Sequence, residues 1–333
     1  MNLPTRVLNG KKLCPIGLGC MSLSQAYYPL PSEKHAEALL HHAIDIGYNH
    51  LDSARLYGLG HNEALLSKVL KTRRDEVFIT SKCGIEFDDG SRRIDCQPKT
   101  IRRAVDKSLT TMGVDYIDLY YLHRLDKDTP IEDSVGTLAD LIKAGKIGAI
   151  GLSEMSAMTL KKATQEHPIA AMQSEYSLWT RNPEIAVLET CKQLGTAFVA
   201  FSPVARGVLA GGVTNPAMLD PKDLRAKHPR FQDENWIQNY NLVAQFESLA
   251  ASAGLTPAQL SLAWVLAQDK HIHVIPGTAS ITHLEENYET LNQKIDPLIL
   301  DKAAALINQQ TVCGHRYPPG ARKAIDTEDY APA

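Results

Sequence analysis

The chain has 333 residues, of which 44% are hydrophobic and 22% charged. That is enough for a large buried core, with the composition of an ordinary globular protein. Lys plus Arg number 35 and Asp plus Glu 38, giving a formal net charge of −3, which excludes both the basic stripe of a nucleic-acid binder and the charge excess of a disordered chain.

The longest apolar stretch, around Leu260–Ala267, is too short to span a bilayer, and Met1–Gly10 lacks the apolar run of a secretory leader. Six cysteines are scattered without a C-x-x-C pair. The expectation is reduced thiols in a cytoplasmic protein that binds neither metal, membrane nor nucleic acid. Oligomeric state is left open.

Eight short apolar runs recur along the chain: Ile16–Gly19, Asn49–Leu51, Val77–Ser81, Ile117–Leu122, Ala149–Leu152, Ala171–Gln173, Ala197–Phe201 and Ile272–Ile275. Most are continuous rather than alternating, as expected of parallel strands buried on both faces. Helical periodicity fills the gaps. Ser32–Ile46 opens on a Ser cap and stops at Gly47, and Asn62–Lys71 follows. Lys99–Met112, Ile131–Ala144, Ser156–His167, Pro183–Leu194 and Pro257–Gln268 complete the set. Alternating strands and helices predict an α/β fold, here a single (β/α)8 TIM barrel. The rival is a doubly wound sheet. Its G-x-G-x-x-G fingerprint is incomplete after the first run, where Gly17-Leu18-Gly19-Cys20-Met21-Ser22 lacks the third glycine. Ser202 to about Trp236 reads as a long irregular loop, and 311–333 as a surface tail over one barrel end. No linker divides the chain, so one domain over 1–333 is expected, with its core at about 5–310.

Barrel active sites sit where strands end. Asp52, Lys82 and His123 follow the second, third and fourth runs, and Tyr57 lies five residues beyond Asp52. A carbonyl that accepts a hydride needs a proton, which a tyrosine hydroxyl can supply, although its reference pKa is near 10. An ammonium about 4 Å away, at an effective dielectric near 20, is worth roughly 4 kcal/mol, or about three pKa units. Lys82 is placed to lower Tyr57 in this way, Asp52 to orient Lys82, and His123 to fix the carbonyl. The plain alternatives are a structural ion pair, a packed tyrosine and a rim histidine.

Leu51-Asp52-Ser53-Ala54-Arg55-Leu56-Tyr57-Gly58, followed by Asn62-Glu63, resembles the D-T/S-A-x-x-Y-G…N-E signature of the aldo-keto reductases. Ile79-Thr80-Ser81-Lys82, the Gly113–His123 segment, Gly145–Ser153 and Ile275-Pro276-Gly277-Thr278 with Leu284–Asn287 resemble their later motifs in order. The likeness covers about residues 5–310 and is closest to the branch of perakine reductase, auxin-induced-like reductases and pyridoxal reductase. It implies an NAD(P)H-dependent oxidoreductase reducing an aldehyde or ketone, with Tyr57 as general acid. It also implies a cofactor groove that starts at Gly19, Cys20 and Met21. Ser153 and Gln173 would hold the nicotinamide amide and Phe201 its ring. Ser202, Pro203, Val204, Arg206, Gly207 and Leu209 would meet the pyrophosphate. Gly277, Thr278, Ser280, His283, Glu286 and Asn287 would hold the adenosine end. Ala279 and Ser280 stand where relatives that bind a 2′-phosphate often carry Lys or Arg, so NADPH is favoured on family grounds with NADH kept open.

Tyr27, Tyr28, Ile85, Phe87 and Trp179, with Phe231 and Trp236, are expected at a partly aromatic mouth suited to an aromatic or extended carbonyl substrate. Three other readings stand beside this one: an oxidative dehydrogenase, a cofactor-sensing regulatory subunit of a potassium channel, and a metal-dependent hydrolase using His271-Ile272-His273. The last is disfavoured because these histidines open the last strand, at the wrong end of a barrel.

Overall fold

In the computed structural model, residues 4–88 and 90–330 are described. The first and last three residues of the expected domain, including the start of the segment read for a leader, lie outside them. Eight parallel strands form the expected barrel: β1 (Leu18–Gly19), β2 (His50–Asp52), β3 (Phe78–Cys83), β4 (Leu119–Leu122), β5 (Ile150–Ser153), β6 (Ala171–Glu175), β7 (Ala197–Phe201) and β8 (Ile272–Ile275). Each pairs with its neighbour in chain order. A parallel bridge between Ile16 and Val274 joins the first strand to the last, and the Gly17 amide donates to Val274 O at 2.8 Å across that seam.

Among the described residues, ten helices of eight residues or more surround the strands: α1 (Glu33–Ile46), α2 (His61–Arg73), α3 (Pro98–Met112), α4 (Ile131–Lys143), α5 (Ala157–Glu166), α6 (Val187–Leu194), α7 (Asp233–Ser252), α8 (Pro257–Gln268), α9 (Ile281–Glu289) and α10 (Pro297–Leu306). Local chemistry fixes several ends. Ser32 caps α1 by accepting from the His35 amide, and Gly47 closes it at φ 113°, a left-handed conformation that a Cβ resists. Thr256 and Gln259 form a capping box at α8. The helix expected from Pro183 begins later. Asn182–Ile185 is a 3-10 turn, and the chain breaks at Ala186 (φ −155°) before α6. Among the described residues, no single helix is long and apolar enough to cross a membrane.

Two cores result. The larger lies between strands and helices, with Leu39, Leu66, Val105, Leu138, Leu160, Phe246 and Trp264. The smaller fills the barrel with Phe78, Leu119, Tyr121, Ala149, Ala171, Ala197 and Val199. A hairpin of Arg6–Leu8 and Lys11–Leu13, turned at Asn9-Gly10, adds Leu8 and Leu13 to this inner core. Arg6 fastens the hairpin by donating to the backbone oxygens of Asp269 (2.8 Å), Leu266 (2.6 Å) and Ile272.

The loop after β7 contains the short turns Ala205–Ala210, Pro216–Met218, Leu224–Lys227 and Pro229–Phe231. It ends at Asp233, where α7 starts inside the stretch expected to be irregular. The tail beyond α10 is fixed by polar bonds rather than lying loosely on the surface. The Asp326 amide donates to Glu154 O (3.0 Å), and the Asp326 carboxylate accepts from the Ser156 amide, Ser156 Oγ and Thr159 Oγ1 at 2.7–2.9 Å.

Candidate active site

A cavity of about 700 Å³ opens where the strands end. Gly19, Asp52, Ser153, Gln173, Phe201 and Ile275 reach it from β1, β2, β5, β6, β7 and β8, and His123 follows β4. Lys82 lies on β3, fully buried beneath the floor. Its ammonium is 2.5 Å from Asp52 Oδ1, 2.8 Å from Ser53 O and 3.4 Å from the Tyr57 hydroxyl oxygen. The second oxygen of Asp52 accepts from Thr80 Oγ1 and Gln173 Nε2, both at 2.8 Å. The Tyr57 and His123 rings meet edge to face, centroids 6.0 Å apart.

The Asn62-Glu63 pair explains why these groups sit still. Asn62 accepts from Ser53 Oγ (2.6 Å) and donates to Cys20 O and Ser24 Oγ (both 2.8 Å). Glu63 accepts from Ser81 Oγ (2.6 Å) and pairs with Arg55 (3.5 Å). The residues next to Asp52 and Lys82 are thus anchored to the start of α2.

Burial dominates the electrostatics of the site. Burial raises the Tyr57 phenol well above its ordinary value, and Asp52 adds to the rise. Arg124 opposes the rise, while Lys82 lies 3.4 Å from the hydroxyl and 2.5 Å from Asp52. Burial also lowers Lys82, against the pull of Asp52. His123 is pushed well below its usual range by burial and by the charges of Arg124, Lys82 and Arg92, so its ring is neutral near pH 7.

Most of the expected binding residues do converge. Met21, Ser202, Pro203, Val204, Arg206, Gly207, Gly277, Thr278, His283, Glu286 and Asn287 line the cavity, as do Tyr27, Tyr28 and Ile85. Ser202, Ala205, Arg206 and Gly207 all have φ between 50° and 92°, a succession that turns backbone amides toward one concave face.

Other expected residues lie outside the cavity lining. Cys20 and Leu209 are fully buried and do not line the cavity. Cys20 is held by Asn62 on its carbonyl, and Leu209 belongs to the core behind the loop. The Ser280 hydroxyl caps α9 by accepting from the His283 amide, away from the cavity. Phe87 is 45% exposed on the outer side of a hairpin, Ile85–Asp88 with Ser91–Ile94. Trp179 packs in the core at 3% exposure. Phe231 stacks on Trp236 with centroids 5.7 Å apart, and neither lines the cavity. Arg206 does line it, with its guanidinium paired to buried Glu175 at 2.8 Å.

Residues without a periodic or motif signal complete the walls: Arg92, Arg225, His228 and, from the tail, Tyr317, Pro318 and Ala321. Arg124 had a signal, its place directly after His123.

The profile of the "Aldo/keto reductase family" matches residues 15–306. The chain belongs to the aldo/keto reductase family. Within the family it is 40% identical over 332 residues to "Aldo-keto reductase yakc [NADP(+)]" of Schizosaccharomyces pombe, covering 98% of this chain and 97% of the relative. It is 38% identical over 315 residues to "Probable aldo-keto reductase 1" of Glycine max, covering 93% of this chain and 90% of the relative. The glycerol dehydrogenase AKR11B4 from Gluconobacter oxydans shares the fold with a TM-score of 0.84 at 23% identity, over 100% of this chain and 99% of that one. This family membership accounts for the barrel with its mouth at the strand ends.

Proposed function

We propose that this family member reduces an aldehyde or ketone to an alcohol with a nicotinamide dinucleotide, and that Tyr57 supplies the proton. The observation that carries the reading is the hydrogen-bond arrangement at Tyr57. Lys82 donates to its hydroxyl oxygen, so the phenol's own proton is free to face the cavity. Because burial keeps that phenol protonated, the site is set for reduction, where the new alkoxide takes a proton. Neutral His123 presents a ring N–H that can hold the carbonyl oxygen within reach of Tyr57. Lys82 and Asp52 position the phenol, and Thr80 and Gln173 fix Asp52.

The cavity fits a dinucleotide. Its wall carries Ser153 and Gln173 from β5 and β6, and Thr278, Glu286 and Asn287 from the chain after β8. Gln173 spends its N–H on Asp52, which leaves its carbonyl oxygen for the cofactor's amide group. The backbone of Ser202–Gly207 is placed for the phosphates. When bound, the cofactor supplies the hydride. NADPH is the favoured cofactor, supported by the NADP(+) in the name of the Schizosaccharomyces pombe relative; NADH is the alternative, because no Lys or Arg stands among the lining residues Gly277–Asn287. Within the family, the motifs favour the branch of perakine reductase, auxin-induced-like reductases and pyridoxal reductase. The bonds of 316–329 to the barrel support one domain over the whole chain.

The test is a titration with NADPH and then NADH, followed by tryptophan fluorescence, and a carbonyl panel with the preferred cofactor. Tyr57→Phe should keep cofactor affinity and lose most reduction. Near wild-type turnover in that variant would remove Tyr57 from its role.

A further inference from the structure

Four arginines line the cavity, and the protein neutralises only two of them. Arg206 is paired with Glu175 and Arg225 with Asp223, each at 2.8 Å. The other two flank the proposed reaction centre. Arg124 follows His123, is buried, and donates to His123 O at 2.6 Å while reaching Ser153 Oγ at 3.5 Å. Both of those partners are uncharged. Arg92 enters from the Ser91–Ile94 strand of the hairpin. Neither Arg92 nor Arg124 has an ion-pair partner among the described residues.

The acids of the cavity do not compensate. Asp52 is committed to Lys82. Glu286 sits on α9, after β8, which is opposite β4 in the eight-membered ring. The cavity wall on the His123 side therefore carries two like charges, Arg124 buried and Arg92 reaching in from an exposed strand. Their fields reach each other and His123: Arg124 helps to push Arg92 below its ordinary value, and both push His123 down. Like charges kept together at this cost are relieved by an anion, and a guanidinium fork matches a carboxylate in particular. The remaining wall, with Leu56, Ile85, Pro318 and Ala321, is apolar.

We infer that the substrate carries a carboxylate besides its carbonyl, seated between Arg92 and Arg124, and that these two residues select acidic aldehydes or ketones over neutral ones. The inference rests on the reduction reading above and names its substrate class.

The test compares 4-carboxybenzaldehyde with its neutral analogue, methyl 4-formylbenzoate, using the preferred cofactor. A charge-assisted contact predicts a kcat/KM preference for the acid of about tenfold or more, expressed mainly in KM. Arg92→Gln should collapse that preference, and Arg92→Lys, which keeps the charge without the fork, should keep part of it, which a packing role would not. Equal turnover of both compounds, or a preference for the ester, overturns the inference and leaves the reduction reading standing. Turnover of neither removes the reduction reading. Calorimetry with 4-(hydroxymethyl)benzoate then decides the anion seat alone: binding that Arg92→Gln abolishes supports it, and no binding overturns it.

Discussion

Two histidines at the far end of the barrel set a pH limit on the fold. His50 opens β2 and His273 is the second residue of β8. Both are fully buried, and none of their four ring nitrogens has a hydrogen-bond partner. Burial lowers His50 to about 4 and His273 to about 3, with His50 adding to the shift of His273. The backbone oxygens of Val7 and Cys14 oppose the His273 shift without closing a bond. The folded protein thus binds fewer protons than the unfolded chain, in which histidine titrates near 6.5. Stability from both groups is complete above that value and is lost as pH falls toward the folded values. Between about pH 7.5 and about pH 5, linkage gives a loss of about 2 kcal/mol for each, or about 4 kcal/mol together. Urea unfolding at several pH values measures this directly. In His273→Leu the loss across the same range should shrink by about 2 kcal/mol. An unchanged pH slope in that variant would show that His273 is not held neutral in the folded state, and the reasoning would fail.

The remaining predictions concern the other end of the barrel. Lys82→Met should lower turnover with little change in cofactor affinity, because the ammonium touches Asp52, Ser53 and Tyr57 and does not line the cavity; a parallel loss of cofactor binding in the fluorescence titration would contradict this. Arg206→Ala should weaken cofactor binding and also destabilise the fold by about 2 kcal/mol, since it removes the nearer partner of the buried Glu175 carboxylate and leaves Arg316 at 3.7 Å. Urea unfolding separates the two effects, and an unchanged midpoint would deny the pair a structural role. Glu154→Gln should loosen the tail, because Glu154 Oε2 pairs with Arg316 at 2.8 Å and Oε1 accepts from the Glu175 amide at 2.8 Å. Faster proteolytic clipping after residue 310, with substrate KM raised more than the cofactor dissociation constant, is the expected result.

What was legible in the sequence was whatever repeats or stands at a strand end. Short runs marked all eight strands, most of them continuously apolar, since strands covered on both faces leave little room for polar alternation. The four residues proposed to carry the chemistry were found because each follows such a run or sits in a motif beside it. The long helix α7 went unread for a physical reason. Its buried stripe is narrow and includes a polar member, Asn239, with Val243, Phe246 and Ala250, so helical periodicity is faint. The rim aromatics were misjudged because aromatic character does not reveal which way a loop turns. Phe87 faces out and Trp179 faces in, while Tyr27 reaches the cavity.

The tail shows most clearly what a linear reading misses. Tyr317 reaches the cavity because Arg316, beside it, is bound by an acid 162 residues earlier in the chain. Glu154 holds φ at 56° with its side chain fully buried, a strained choice for a non-glycine residue. That conformation brings Oε1 to the Glu175 amide and Oε2 to Arg316, with Thr327 Oγ1 3.3 Å away. Glu175 in turn holds Arg206 in the segment proposed to meet the phosphates. Two buried acids, one after β5 and one on β6, therefore connect the tail to the loop after β7 through a single set of ion pairs, Glu154–Arg316–Glu175–Arg206, so the cavity wall contributed by Tyr317 and that contributed by Arg206 are held by the same buried charges.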